Sequence, residues 1–265
     1  MGKTRAYPRL AVLLASQVLA NFTAPPALAD TGDWVVEFAD HENPDEARMQ
    51  TLLQQQGALP DMVALFETLF RLKTPIKLLV GADDGPYYES GAEIITLPYQ
   101  FALEIERTFK TSGDPTRVDL DALDDIVLDV VMHTLFHELG HVLMAQYQLP
   151  LFYEEEDTVD SLANLLLLEY TEYGTEVATS AAEMFRLQHE KIETFEAADF
   201  WDEHSLDLQR HYDIYCSIYG AYPDVNESLI DEVFDGDEDQ AELCLDTYER
   251  IRASWQPLLE PILRP

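Results

Sequence analysis

Basic residues are scarce in this sequence. It has 16 lysines and arginines against 51 aspartates and glutamates, which gives a net charge of −35 at pH 7. A surface of this sign repels nucleic acid, anionic lipid and acidic polymers, so none of these is expected as a partner. We attribute the overall acidity to solubility or to adaptation to salt rather than to attraction of a basic substrate.

Long hydrophobic runs are also missing after the first 29 residues. No later segment offers about 18 consecutive apolar residues, so stable membrane insertion of the mature chain is not expected. The start itself is typical of an export signal, with Lys3, Arg5 and Arg9 before an apolar run and the small-residue site Ala27-Leu28-Ala29. Cleavage after Ala29 would place the protein in the periplasm or outside the cell. An uncleaved N-terminal anchor is the alternative.

Linkers, repeats and low-complexity tracts are absent as well, so residues 30–265 are predicted to form a single domain. The chain contains only two cysteines, Cys216 and Cys244. Outside the reducing cytosol they have one possible intramolecular pairing, and a disulfide is therefore predicted. Two buried free thiols are the alternative.

Hydrophobic patterning predicts an α+β fold, a mostly helical domain with a small antiparallel sheet. Residues 75–82 and 92–100 are short, rich in Ile, Val, Leu and Tyr, and separated by turn residues, which is typical of two antiparallel strands. Pro98 cannot donate to a ladder, so the second strand is predicted to be a sheet edge. Helices are predicted at residues 43–57, 60–72, 119–148, 155–190, 205–220 and 240–260.

The motif that carries chemistry is His137-Glu138-Leu139-Gly140-His141, within the long helix. Residues four apart share a helix face, so both imidazoles can bind one metal ion. Zinc held by three protein ligands keeps an open position for a water that ionises near pH 7, and Glu138 is placed to accept its proton. Gly140 costs about 1 kcal/mol relative to Ala inside a helix. Its presence therefore predicts close approach by another element, such as a strand or the metal site.

A third histidine ligand is not expected. The continuation HExxHxxGxxH would need Gly at position 144 and His at position 147, where this chain has Met144 and Tyr147. His133 lies on the same stripe, but i and i+8 are about 12 Å apart along a helix. We therefore interpret His133 as a core residue or as a support for a ligand.

The remaining candidate is an acidic residue of the following helix. Glu155 and Glu156 both border its apolar face, and Asp160 lies one turn after Glu156, where it could accept a hydrogen bond from a ligand histidine. Glu156 is favoured for this reason, while Glu155, Asp160 and Glu169 stay open as alternatives. If the two helices were strictly antiparallel about a turn at Pro150, position 160 would be level with the motif.

HELGH followed by Glu-x-x-x-Asp resembles the glutamate zincins. This resemblance implies that Glu156 is the third zinc ligand and that Asp160 supports a ligand histidine. The stretches "LPLFYEEEDTVDSLA", "DEHSLDLQRHYDIYCSIYG" and "ELCLDTYERIRASWQPLL" together resemble an exported bacterial family of predicted zinc metallopeptidases, over residues 45–260.

The sequence thus predicts an exported peptidase with one zinc ion, held by His137, His141 and Glu156, and with Glu138 as general base. The substrate would be a peptide or protein lying along the edge of the second strand. For the oxyanion donor, His204, Arg210 and His211 are candidates, of which His204 is preferred because it precedes a helix in a polar stretch. An exported zinc-binding or interaction module without turnover is the alternative.

Overall fold

A computed structural model describes residues 33–55, 57–112, 122–150 and 154–264. The predicted export signal at residues 1–29 lies outside this part of the chain. The first two helices are α1 (Pro44–Gln54) and α2 (Leu59–Leu69), and both follow the first strand of the sheet. The side chain of Asn43 caps α1 by accepting the backbone N–H groups of Asp45 and Glu46. Both predicted N-terminal helices are therefore confirmed.

The sheet has four strands in the order β1 (Trp34–Phe38), β2 (Ile76–Val80), β4 (Ile94–Leu97), β3 (Tyr87–Glu89). β2 pairs in parallel with both β1 and β4, and β3 pairs antiparallel with β4. The predicted antiparallel pairing of the two central segments was wrong. The stretch between them contains β3, so the chain reverses twice and β4 returns parallel to β2.

The predicted sheet edge was also wrong. β4 lies between β2 and β3, so the edges are β1 and β3. Pro98 does not interrupt the ladder because it follows the strand and occupies the N-cap position of helix α3 (Tyr99–Thr111). That helix was not predicted, since its first residues were assigned to the strand.

Six further helices make up most of the remaining described chain. They are α4 (Leu123–Tyr147), α5 (Glu155–Tyr170), α6 (Gly174–His189), α7 (Asp207–Ala221), α8 (Leu229–Glu232) and α9 (Glu238–Leu259). The segment predicted as one helix over 155–190 is two, because the backbone becomes extended at Thr171. The α+β class is confirmed, with a mixed rather than an antiparallel sheet.

The helix α4 lies at the centre of the core. It packs against α3, α5 and α6, and Phe136 contacts the ring of Phe66 from α2 at 4.9 Å between centroids. Within the described residues α4 is also the one helix long and apolar enough to cross a membrane. However, 83% of its most apolar window is buried inside the protein. These contacts explain its apolar character as that of a core helix.

The C-terminal helices are joined covalently. Cys216 of α7 and Cys244 of α9 form a disulfide with an S–S distance of 2.04 Å, as predicted. Because α7 also packs on α6, this link connects α9 to the helices around α4.

Candidate metal centre

The two histidines of the motif converge at one point on α4. Their Nε2 atoms are 3.3 Å apart. Both side chains are largely shielded from solvent, with relative exposures of 8% for His137 and 14% for His141. The i and i+4 positions on one helix face account for this arrangement.

Glu156 of α5 reaches the same point. Its Oε2 atom lies 3.0 Å from Nε2 of His137 and 3.3 Å from Nε2 of His141. The other acidic candidates are engaged elsewhere. Asp160 and Glu155 contact the Nδ1 atoms of the two imidazoles, and Glu169 accepts a hydrogen bond from Tyr248.

The close approach of α5 to α4 depends on Gly140. A Cβ atom at this position would lie 2.9 Å from Cβ of Val159, too close for a normal contact. The predicted close approach is therefore confirmed, and the approaching element is α5. α4 ends at Tyr147, and Gln148 caps it in the left-handed conformation. Across this connection, position 156, rather than 160, meets both Nε2 atoms.

Each imidazole is oriented by a carboxylate on its far nitrogen. Nδ1 of His137 donates to Oδ1 of Asp160 at 2.7 Å, and Nδ1 of His141 donates to Oε1 of Glu155 at 2.9 Å. Such bonds fix the tautomer and leave both Nε2 atoms available for a metal. The contact of Glu155 with His141 was not predicted, although its position beside the apolar face of α5 was noted.

Asp160 is in turn held by Arg210 of α7. The guanidinium donates through Nε to Oδ2 at 2.7 Å and through Nη2 to Oδ1 at 2.9 Å, and it lies 4.0 Å from the ring centroid of Phe185. Arg210 was considered as an oxyanion donor, whereas the structure places it on this carboxylate. No sequence spacing links positions 160 and 210, so the pair could not be predicted.

The charges of the site are strongly coupled. Burial opposes protonation of His137, but its hydrogen bond with Asp160 and the adjacent carboxylate of Glu156 raise its pKa to about 9. Burial likewise opposes ionisation of Glu156, yet the surrounding histidines lower its pKa well below the usual range. The site is therefore an anionic pocket between imidazoles, which suits a divalent cation.

Glu138 lies beside this cluster. It is buried, with 4% relative exposure, and its Oε2 atom has no hydrogen-bond partner. Burial raises the pKa of this carboxyl. Glu138 lines both an open cleft of about 730 Å³ and a narrower cavity of about 290 Å³, which a water or a substrate could enter.

His204 enters the cluster from the segment between α6 and α7. Its Nε2 atom is 3.0 Å from Oε2 of Glu156, and its ring stacks on that of His137 with centroids 6.0 Å apart. The other histidines lie elsewhere. His133 contacts Oδ1 of Asn164 at 3.2 Å in the core, and burial lowers its pKa to about 4, while His211 contacts the carbonyl of Ala182.

The dimensions of the cluster fit zinc. Ligand atoms about 2.0–2.1 Å from a tetrahedral zinc ion lie about 3.3 Å from one another. The separations among Nε2 of His137, Nε2 of His141 and Oε2 of Glu156 are 3.0, 3.3 and 3.3 Å. Oε2 of Glu156 is buried and has no hydrogen bond of acceptable direction, although three imidazole nitrogens surround it. The three ligand atoms are therefore spaced as a tetrahedral zinc ion requires.

Residues 38–259 match a family described as "Putative metallopeptidase". No curated protein and no solved structure matches the chain. The matched segment contains every residue of the cluster described above. Since the match covers most of the sequence, the chain belongs to this family.

Proposed function

We propose that this protein is an exported zinc-dependent peptidase of the glutamate-zincin type. One observation carries the proposal: three ligand atoms from α4 and α5 converge at zinc-like separations beside a buried carboxylate with an unpartnered oxygen. His137, His141 and Glu156 would hold the ion, while Asp160 and Glu155 orient the two imidazoles.

Zinc bound there would acidify a water and polarise the scissile carbonyl. Glu138 acts as the general base, taking a proton from the attacking water and transferring it to the leaving amine. Its buried setting supports this role, because burial raises the pKa of the carboxyl and so makes it a stronger base than an exposed glutamate.

His204 is the proposed donor to the oxyanion. Its Nε2 atom lies next to the ligand cluster, and its side chain remains 39% exposed on the cleft. A hydrogen bond from this imidazole to the developing negative charge would stabilise the transition state.

The strand β3 is the proposed docking edge for the substrate backbone. It is an edge strand, it packs against α4, and Tyr87 and Tyr88 line the cleft. This replaces the edge predicted at β4, which is interior. A peptide that adds to β3 would lie alongside Glu138, because the backbone of Tyr88 faces that carboxylate.

The test compares wild-type protein with a Glu138→Gln variant, both loaded with zinc, on a broad peptide library. We expect wild type to cleave peptides and the variant to lose about 10²- to 10⁴-fold in kcat/KM while keeping one zinc per chain. Gln preserves the size of the side chain, so the fold should survive. Equal inactivity of both zinc-loaded proteins would refute the peptidase proposal.

A zinc-binding module without turnover is the second candidate, and the position of His204 favours it. The ligand atoms of His137, Glu156 and His204 lie within 4.8 Å of one another, so His204 could close the open coordination position. A His204→Ala variant separates the two functions. Lower zinc affinity would indicate a ligand, whereas unchanged affinity with slower hydrolysis would indicate an oxyanion donor.

We also propose that the protein is exported to the periplasm or secreted. It is supported by the sequence of the first 29 residues and by the disulfide between Cys216 and Cys244, since such bonds persist outside the reducing cytosol. Determining the N-terminus of the protein from fractionated cells tests it, with Asp30 as the expected first residue.

A further inference from the structure

The rim of the open cleft beside the metal centre is acidic. Its lining residues outside the proposed ligand and base set include Glu154, Glu155 and Glu203, and none of the described residues that line it is a lysine or an arginine. The rest of the lining, apart from the histidines, consists of apolar residues, tyrosines and a serine. The two positive charges of a bound zinc ion would be balanced by the carboxylates of Glu156 and Glu138. The carboxylates of Glu154, Glu155 and Glu203 would therefore leave the rim with a net negative charge.

Two of these carboxylates have no counterion. Glu154 precedes α5, Glu203 precedes His204, both are exposed, and neither forms an ion pair with a residue in the described part of the chain. Glu155 differs, because it contacts His141. These two carboxylates therefore lie at the rim of the cleft, one at the N-cap of α5 and one on the segment that carries His204.

A separate observation indicates that the cleft receives a ligand. Glu138, which lines this cleft beside the ligand cluster, is buried and has an oxygen without a hydrogen-bond partner. An edge strand, β3, lines the same cleft. Buried polar atoms are seldom left unpaired, and an edge strand offers a peptide backbone its hydrogen bonds.

We propose that the cleft selects peptides with lysine or arginine side chains flanking the bond to be cleaved, and that Glu154 and Glu203 determine this preference. The inference rests on the proposed peptidase function. The proposed preference differs from the general attraction of the acidic surface, which would act on any cation at any place on the protein. This preference depends on Glu154 and Glu203 at the rim, so it acts only on side chains near the cleft.

The expected effect is moderate because both carboxylates are exposed. A single solvent-exposed charge pair changes binding by about 2- to 5-fold, so both together should change it by about 10-fold. The difference in affinity between lysine-flanked and glutamate-flanked peptides should decrease as the salt concentration rises to 1 M, because the Debye length then falls to about 3 Å.

The test uses two fluorescent peptides that share one central sequence and are flanked by lysines or by glutamates. Their dissociation constants are measured on the zinc-loaded Glu138→Gln protein, which should bind without cleaving. We expect the lysine peptide to bind at least about 10-fold more tightly. Adding Glu154→Gln and Glu203→Gln should remove most of this difference.

A matched control changes the net charge equally at a distance. Glu227 and Glu242 are exposed and line none of the cavities described above, so Glu227→Gln with Glu242→Gln should leave the preference unchanged. If the control reduces the preference as much as the cleft variants do, or if the two peptides bind equally or not at all, the inference is overturned.

The outcomes also separate this inference from the peptidase proposal. Cleavage of the peptide library without a lysine preference would leave the peptidase standing and remove the charge selection. Selective binding of the lysine peptide by a zinc-loaded wild-type protein that cleaves nothing would keep the selection and remove the peptidase.

Discussion

At the scale of single residues, the site depends on how each imidazole is held. His137 and His141 contact a carboxylate through Nδ1 and present Nε2 to the proposed metal position. The motif made both histidines and Glu138 predictable, because helical spacing alone places them. Helical phase favoured Glu156 but left Glu155, Asp160 and Glu169 open as alternatives. The contacts of Glu155 and Arg210 were not predictable, because they depend on the tilt of α5 and on the placement of α7.

The raised pKa of His137 predicts that zinc binding depends on pH. Without metal this imidazole keeps its proton up to about pH 9, and zinc binds only the neutral form. Zinc must displace the proton, so apparent affinity should rise by about tenfold per pH unit between pH 6 and 8. Competition with a chelator at several pH values measures this slope. An affinity that stays constant with pH would contradict the raised pKa.

Arg210 is predicted to strengthen metal binding without touching the metal. It makes two hydrogen bonds to Asp160, which holds His137. Arg210→Gln should weaken zinc binding by about 10- to 100-fold, since loss of such supporting contacts loosens the ligand. Zinc dissociation constants from a chelator titration measure this effect.

A matched control is Arg252→Gln, because that arginine forms an exposed pair with Glu249 away from the site. Its zinc affinity should equal that of wild type. If Arg210→Gln also binds zinc like wild type, the support assigned to this arginine is wrong.

At the scale of elements, the packing of α5 on α4 creates the site, and Gly140 permits it. The sequence indicated a close approach here, because glycine inside an otherwise apolar helix is costly. The sequence did not predict the relative direction of β2 and β4, which are parallel rather than antiparallel. A stretch of turn residues was read as one reversal, although Tyr87–Glu89 within it forms a strand. A strand of three residues is too short to show the alternation of apolar and polar side chains by which strands are recognised in a sequence.

Gly140→Ala should destabilise the protein, although alanine favours helices. The added Cβ atom would meet Cβ of Val159 at 2.9 Å and push α5 outward. We expect a loss of about 1–3 kcal/mol in unfolding free energy, the usual cost of overpacking, and weaker zinc binding. Denaturant titration and chelator competition measure the two effects.

Adding Val159→Ala should partly relieve the contact, and Gly91→Ala is a neutral control because no atom lies within 4 Å of the added carbon. Wild-type stability in Gly140→Ala would show that α5 does not require the glycine.

At the scale of the whole molecule, buried side chains from Trp34 to Ile262 form one hydrophobic cluster around α4. Composition alone indicated the acidity and the single cysteine pairing. It could not indicate that the disulfide would connect α7, the helix that carries Arg210, to α9. That depends on how the C-terminal helices pack.

Replacing Cys216 and Cys244 by alanine should lower the unfolding free energy by about 3–4 kcal/mol, because the bond closes a loop of 28 residues. Zinc content should persist, since none of the proposed ligands lies on α7 or α9. Denaturant titration measures the loss. A reducing agent serves as a control because it should destabilise wild type and leave the double variant unchanged. Equal stability of oxidised wild type and the double variant would contradict the prediction.

The central claim, a zinc ion held between α4 and α5, is tested most directly by anomalous diffraction at the zinc edge from crystals grown with zinc. The account predicts one peak about 2.0–2.1 Å from Nε2 of His137, Nε2 of His141 and a carboxylate oxygen of Glu156. A peak bonded to Asp160 instead of Glu156, or no peak between these helices, would contradict it.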